Sequence, residues 1–162
     1  MASSGLGAAA TSRTMLGTAR EPHGRMDKDW LPVLAGVPLF EGLSRRHLRR
    51  VAALAKTKRY AAGTRIVEAG GPGNAFYVII DGSVRITPAT GRPVIRRTGE
   101  FFGEMALLDG APRSADVTAA EDVLVMWIGS AGFAKLLRRE PQLSLALLRT
   151  LAGRLRAAER SL

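Results

Sequence analysis

The chain has no cysteine among its 162 residues, which removes disulfides and thiolate metal sites. Histidine is nearly absent as well. With only two histidines, His23 and His47, a histidine-based metal centre is not expected, nor is an enzyme on a metal-binding roll. Long apolar runs are missing: no stretch reaches the roughly 18 consecutive apolar residues that mark a membrane-spanning helix. The N-terminal residues lack the apolar core of a secretory signal. A cytoplasmic setting fits these absences. Acidic residues are scarce, 14 against 24 lysines and arginines, for a formal net charge of +10. That surplus keeps a nucleic-acid-associated regulator open as an alternative. The arginines, however, are spread over several segments, as on a solvated surface, and no recognition helix accompanies them.

What is present suits one globular domain, with 46% hydrophobic and 23% charged residues. Residues 1–28 hold Ala, Ser, Gly, Thr and scattered Arg without periodicity, which predicts a disordered tail; the domain is expected over 29–162. Order begins near Trp30-Leu31-Pro32-Val33-Leu34. Ser44 is a good N-cap for a helix with Leu48, Val51, Ala52 and Ala55 on its apolar side and Arg45, Arg46, Arg49 and Arg50 on the other. From Lys56 to Ile128 the pattern changes to short β segments punctuated by glycine. The predicted strands are Thr57–Ala61, Arg65–Glu68, Ala75–Asp81, Ser83–Pro88, Val94–Arg97, Ser114–Ala119 and Val123–Ile128. Phe76–Ile80 reads as a buried central strand, and Asp81-Gly82 as a hairpin turn. Helices are predicted over Ser130–Arg139 and from Pro141 to about Arg160. In the last one Leu143, Leu147, Leu151, Leu155 and Ala158 make one stripe, and Leu145, Leu148 and Ala152 part of a second. Gly153 there predicts a bend, close packing or a hinge. Many short strands argue for a sandwich or jelly roll.

The chemistry concentrates in Phe102-Gly103-Glu104-Met105-Ala106-Leu107-Leu108-Asp109-Gly110-Ala111-Pro112-Arg113-Ser114-Ala115. A glycine opening a short helix offers unpaired backbone N–H groups to an anion. Arg113 adds a planar fork of donors matched to phosphate oxygens. Glu104 is an acceptor-only carboxylate beside them, suited to a hydroxyl. Together they fit a small sugar phosphate. Phe101, Phe102, Met105, Leu107 and Leu108 read first as core. A Glu104–Arg113 ion pair holding the turn is the competing structural explanation.

The run Phe-Gly-Glu-x-Ala-Leu-x-x-Gly-x-Pro-Arg-Ser-Ala resembles the phosphate-binding cassette of cyclic nucleotide-binding domains, found in bacterial catabolite activators, protein kinase A regulatory subunits and cyclic nucleotide-gated channels. The resemblance extends from about Val37 to the C-terminus. It implies a mainly β fold with flanking helices: an eight-stranded jelly-roll-like β-roll with an N-terminal helical segment, a short cassette helix and two C-terminal helices. It implies a non-catalytic sensor whose ligand is cAMP, with cGMP as the alternative, and which needs no cofactor. By motif, Glu104 would accept from the ribose 2′-hydroxyl and Arg113 would bind the exocyclic phosphate oxygens. Gly103, Ala106 and Ser114 would lie along the phosphate, with Phe102, Met105, Pro112 and Ala115 lining the cassette. Ser114 leans towards cAMP, because cGMP-preferring families often carry threonine there. An arginine on the last helix stacks over the base in channel-type domains; Arg154 is the first choice here and Arg156 the second. Occupancy would be relayed through the C-terminal helices to a protein effector or a second copy. The transcription factors continue into a helix-turn-helix, which this chain does not reach by Leu162; it reads as a stand-alone receptor domain or a fragment of a longer transcription regulator or channel.

Overall fold

The run Ala75–Asp81 is a strand whose two faces are both covered. Phe76 and Val78 enter one apolar cluster, while Ala75, Tyr77 and Ile79 enter another. Alternate side chains point to opposite faces of a strand, so a continuous apolar run requires packing on each side. The fold supplies it. In this computed structural model, which describes residues 23–25 and 30–162, one sheet lies between a layer of helices and a second sheet.

In chain order the elements are β1 (His23–Arg25), α1 (Leu31–Ala35), a 3-10 turn at Pro38–Phe40, α2 (Arg45–Leu54), β2 (Ala55–Tyr60) and β3 (Arg65–Val67). Then follow β4 (Ala75–Asp81), β5 (Ser83–Pro88), β6 (Val94–Arg97), β7 (Phe101–Phe102) and α3 (Glu104–Asp109). The chain closes with β8 (Ala115–Ala119), β9 (Val123–Gly129), α4 (Ser130–Arg139) and α5 (Pro141–Arg160). Among the described residues, nine strands form two antiparallel sheets, ordered β1-β2-β9-β4-β7 and β3-β8-β5-β6. This is the expected mainly β roll with flanking helices. Two of the nine, β7 and β1, lie outside the seven segments predicted individually, and the total is one more than the eight-stranded roll implied by the resemblance. Phe101–Phe102 pairs with Tyr77 and Val78, too short a segment to announce itself. His23–Arg25 pairs with Lys56–Lys58 along an edge, inside the stretch expected as a tail; the rest of 1–28 lies outside the described residues.

Asp81-Gly82 is not a hairpin. β4 and β5 belong to different sheets, and the dipeptide carries the chain from one to the other. The register of β4 on β9 shifts between Ile79 and Asp81, a bulge of the kind that bends a strand out of its sheet. Gly82 completes the corner with φ 100°, and a Cβ there would lie 2.5 Å from the Asp122 carbonyl oxygen. The local turn signal was real, but it carried no information about which sheet the next strand would join.

The helices cover the outer face of the first sheet. Ser44 caps α2 by accepting from the His47 N–H at 3.3 Å, and Leu48, Val51 and Ala52 face inward. Leu143 and Leu147 bury the first half of α5, and Leu151 packs partly. The predicted stripe stops there: Leu155 is 61% exposed, and Leu145 and Leu148 also face outward. Helix α5 runs unbroken through Gly153, where nothing lies within 4 Å of a would-be Cβ, so close packing does not account for the glycine. The junction of α4 and α5 is pinned by Glu140, 2% exposed, which meets Arg50 Nη1 at 3.4 Å and His47 Nδ1 at 3.5 Å.

Two glycines with positive φ separate strain from crowding. Gly110 has φ 70° and open space around it, whereas Gly82 has φ 100° and a carbonyl in the way. Gly110→Ala should cost about 1–2 kcal/mol, the left-handed backbone term alone, and Gly82→Ala clearly more, by urea denaturation. Equal losses would contradict the crowded corner.

Candidate functional site

The candidate site forms where β7 ends and α3 begins. Phe101 and Phe102 alternate across the sheet, the first towards the helices and the second into the inter-sheet core. The Phe102 ring stacks on Tyr77 at 4.8 Å with planes 6° apart. Gly103 then adopts φ 86°, which turns the chain from strand into α3. A Cβ at Gly103 would come within 3.0 Å of both the Ala75 carbonyl oxygen and Arg113 Nη1, so both backbone conformation and close approach call for glycine. The first N–H groups of α3 have no intrahelical acceptor. The helix ends at Gly110, also left-handed, and the Ala111 N–H donates to Asp109 Oδ1 at 2.9 Å. The loop before β4 holds the other side: Gly73 abuts Ala106, and the Gly70 N–H donates to the Arg113 carbonyl at 2.8 Å.

Arg113 is 7% exposed. Its Nη1 donates to the Gly103 carbonyl and its Nη2 to the Ala75 carbonyl, each at 2.7 Å. These bonds tie the loop before β8 to β4 and to the start of α3. Both partners are neutral, so the hydrogen bonds orient the guanidinium without cancelling its charge. Burial accordingly pulls its pKa below the ordinary arginine value, with Tyr77 and Glu104 opposing the shift. Burial also pushes the Tyr77 hydroxyl above its usual range.

Glu104, 4% exposed, is paired, but with Arg154 of α5 rather than Arg113: Arg154 Nη1 lies 3.3 Å from Glu104 Oε1. Arg154 Nη2 donates to the Phe101 carbonyl at 2.9 Å, and the guanidinium sits over the Phe101 ring at 4.3 Å. Its pKa is lowered by burial first and by neighbouring Arg96 next, against the pull of Glu104 and Glu100. The last helix therefore reaches the cassette through the Arg154 side chain.

The matching family model, described as the cyclic nucleotide-binding domain, covers residues 57–140. The chain belongs to that family. A cyclic nucleotide-gated potassium channel of Mesorhizobium japonicum is 36% identical over 136 residues, covering 84% of this chain and 38% of the channel. A cAMP-dependent protein kinase regulatory subunit of Aspergillus fumigatus is 39% identical over 106 residues, 64% of this chain and 26% of the subunit. The chain thus spans about a quarter to two-fifths of the length of these relatives. The Thermus thermophilus catabolite activator protein superposes with a TM-score of 0.68 at 33% identity, over 76% of this chain and 61% of that one.

Within this cyclic nucleotide-binding domain the structure gathers Gly103, Glu104, Ala106, Arg113 and Arg154 around one junction. Phe102 is core, as expected. Met105 and Leu108 are not: they are 55% and 47% exposed on the outer side of α3, because so short a helix buries one face only. Pro112 and Ser114 are exposed and Ala115 half-buried at the start of β8. Arg156 is exposed. The sequence reading missed Tyr77, the acceptor role of the Ala75 carbonyl, and the Arg96–Glu100 pair at 3.6 Å. Tyr77 was visible only as one apolar residue in a buried run. Among the described residues, no helix is long and apolar enough to cross a membrane.

Removing Arg154 would strand a buried carboxylate. Arg154→Ala should cost about 3 kcal/mol, the low end for breaking a buried pair because Arg154 keeps some solvent contact. Adding Glu104→Gln should recover part of it, read by urea denaturation in a double-mutant cycle. An Arg154→Ala variant as stable as the parent would contradict the pairing.

Proposed function

We propose that the chain is a 3′,5′-cyclic nucleotide sensor domain that binds rather than transforms its ligand and relays occupancy through α5. The observation that carries this reading is Arg113, a buried cation oriented by two neutral carbonyls beside the left-handed Gly103. A cyclic phosphate supplies the missing anion. Arg113 binds its exocyclic oxygens with the donors that the carbonyls leave free, and the N–H groups opening α3 support the same group. Glu104 accepts from the ribose 2′-hydroxyl.

Because Arg154 already holds Glu104, the ribose enters an existing contact between cassette and α5. The ligand shifts α5 only as far as its affinity differs between arrangements with that contact kept and changed. The relay ends on the outward leucines of α5, Leu145, Leu148 and Leu155, whose spacing of three, then seven residues suits a partner helix from an effector or a second copy. The expectation of cAMP rests on Ser114, which stands at the phosphate end; the base is read elsewhere.

Charge-assisted hydrogen bonds contribute roughly 1.5–3 kcal/mol each, and micromolar affinity corresponds to about 8 kcal/mol. Three or four such contacts with base packing reach that range. Calorimetry should therefore show binding of a cyclic nucleotide at micromolar concentration. Arg113→Ala should weaken it on the order of 100-fold, Arg113→Lys less so, and Arg154→Ala only several-fold. Absence of binding below about millimolar, or equal losses at Arg113 and Arg154, would overturn the assignment.

A further inference from the structure

A second concave surface lies away from the cassette. Helix α2 carries four arginines, helix α4 a lysine and two arginines, and neither contains an acidic residue. The two helices are far apart in sequence but pack side by side. Between them opens a cleft of about 130 Å³, with Ala53, Leu54 and Leu136 as its apolar walls and Arg50, Lys135, Arg139 and Glu140 completing the lining. Lys135 and Arg139 stand one turn apart on α4, and Arg46 stands one turn before Arg50 on α2. All three of Arg46, Lys135 and Arg139 are exposed. Among the described residues no carboxylate pairs with any of them. Glu140 does not balance the charge, since it is 2% exposed and already holds Arg50 and His47. The cleft is therefore an apolar slot with an uncompensated cationic rim.

We propose that this cleft docks a short acidic segment of a partner protein. One aliphatic side chain of the segment seats against Ala53, Leu54 and Leu136, and its carboxylates meet Arg46, Lys135 and Arg139. The cleft is well below the roughly 300–1,000 Å³ of sites that enclose a whole small molecule, so it suits a single anchoring side chain. Exposed ion pairs contribute little singly, but a rim of one sign selects an acidic partner and speeds its approach, while the buried anchor supplies most of the affinity. A nucleic-acid backbone would use the cations and leave the apolar walls bare. A lipid surface calls for bulky apolar or aromatic anchors, whereas the exposed apolar residues beside these cations are Ala53, Ala131 and Ala134. The cleft shares no residue with the cassette, so the inference does not rest on the cyclic-nucleotide reading. Glu140 lines the cleft and is also the N-cap of α5, so a seated partner touches the pin between α4 and α5.

The test is fluorescence anisotropy of the full chain with a labelled peptide of glutamates around one central leucine, at low ionic strength. The peptide should bind, and exchanging its leucine for glycine should weaken binding about tenfold. Ala53→Phe, which fills the cleft, should bring the leucine peptide down to the level of the glycine peptide. Lys135→Glu should weaken both peptides about tenfold. Folding of each variant is checked by circular dichroism; should Ala53→Phe fail to fold, Lys135→Glu and the peptide pair decide alone. Duplex DNA and vesicles of phosphatidylserine, used as competitors, should displace the labelled peptide less well than its unlabelled copy. No binding of the leucine peptide, equal binding of the two peptides, unchanged binding in Lys135→Glu, or stronger competition by DNA or vesicles would overturn the proposal.

Discussion

The structure depends on one buried cation. Arg113 joins the loop before β8 to the carbonyls of Ala75 and Gly103, and those groups belong to the strand and the turn that define the cassette. A guanidinium held this way does two things at once. It closes the junction of β4, β7 and α3, and it keeps a positive charge oriented where no contacting carboxylate neutralises it. Lysine has no planar fork and would satisfy one carbonyl at a time. Gly103 is the matching constraint, since any side chain there would meet both Arg113 and the Ala75 carbonyl.

The second layer is the link from cassette to helix. A buried carboxylate needs a partner; Arg154 supplies one to Glu104 from α5 while stacking on Phe101. Helix α5 is anchored at its start by Leu143 and Leu147 and by Glu140, held in turn by Arg50 and His47. Beyond Leu151 it projects outward. A helix fixed at one end, with Arg154 bound to Glu104 and the Phe101 carbonyl further along, is suited to convert a local exchange of partners into movement of its far end, where Leu155 is exposed.

Much of this was legible from residue order. The glycine-spaced strands, the cap at Ser44, the two last helices and the cassette all follow from local chemistry that acts over a few residues. What escaped depends on neighbours far apart in the chain. Asp81-Gly82 carries a genuine turn signal, yet whether it makes a hairpin or a corner between sheets is decided by β9 and β8. Phe101–Phe102 is a strand only because Tyr77 and Val78 lie beside it. Glu104 could be placed at the site from its motif, but its partner, fifty residues on, could not.

The central claim is that the cassette and α5 share Glu104, so that ligand at one is felt at the other. Hydrogen–deuterium exchange with and without saturating cyclic nucleotide tests it most directly. The account predicts altered amide protection over Arg149–Arg160 as well as in Gly103–Ala115, and loss of the helix response in Arg154→Ala. Protection changes confined to the cassette, with α5 unaffected, would contradict it.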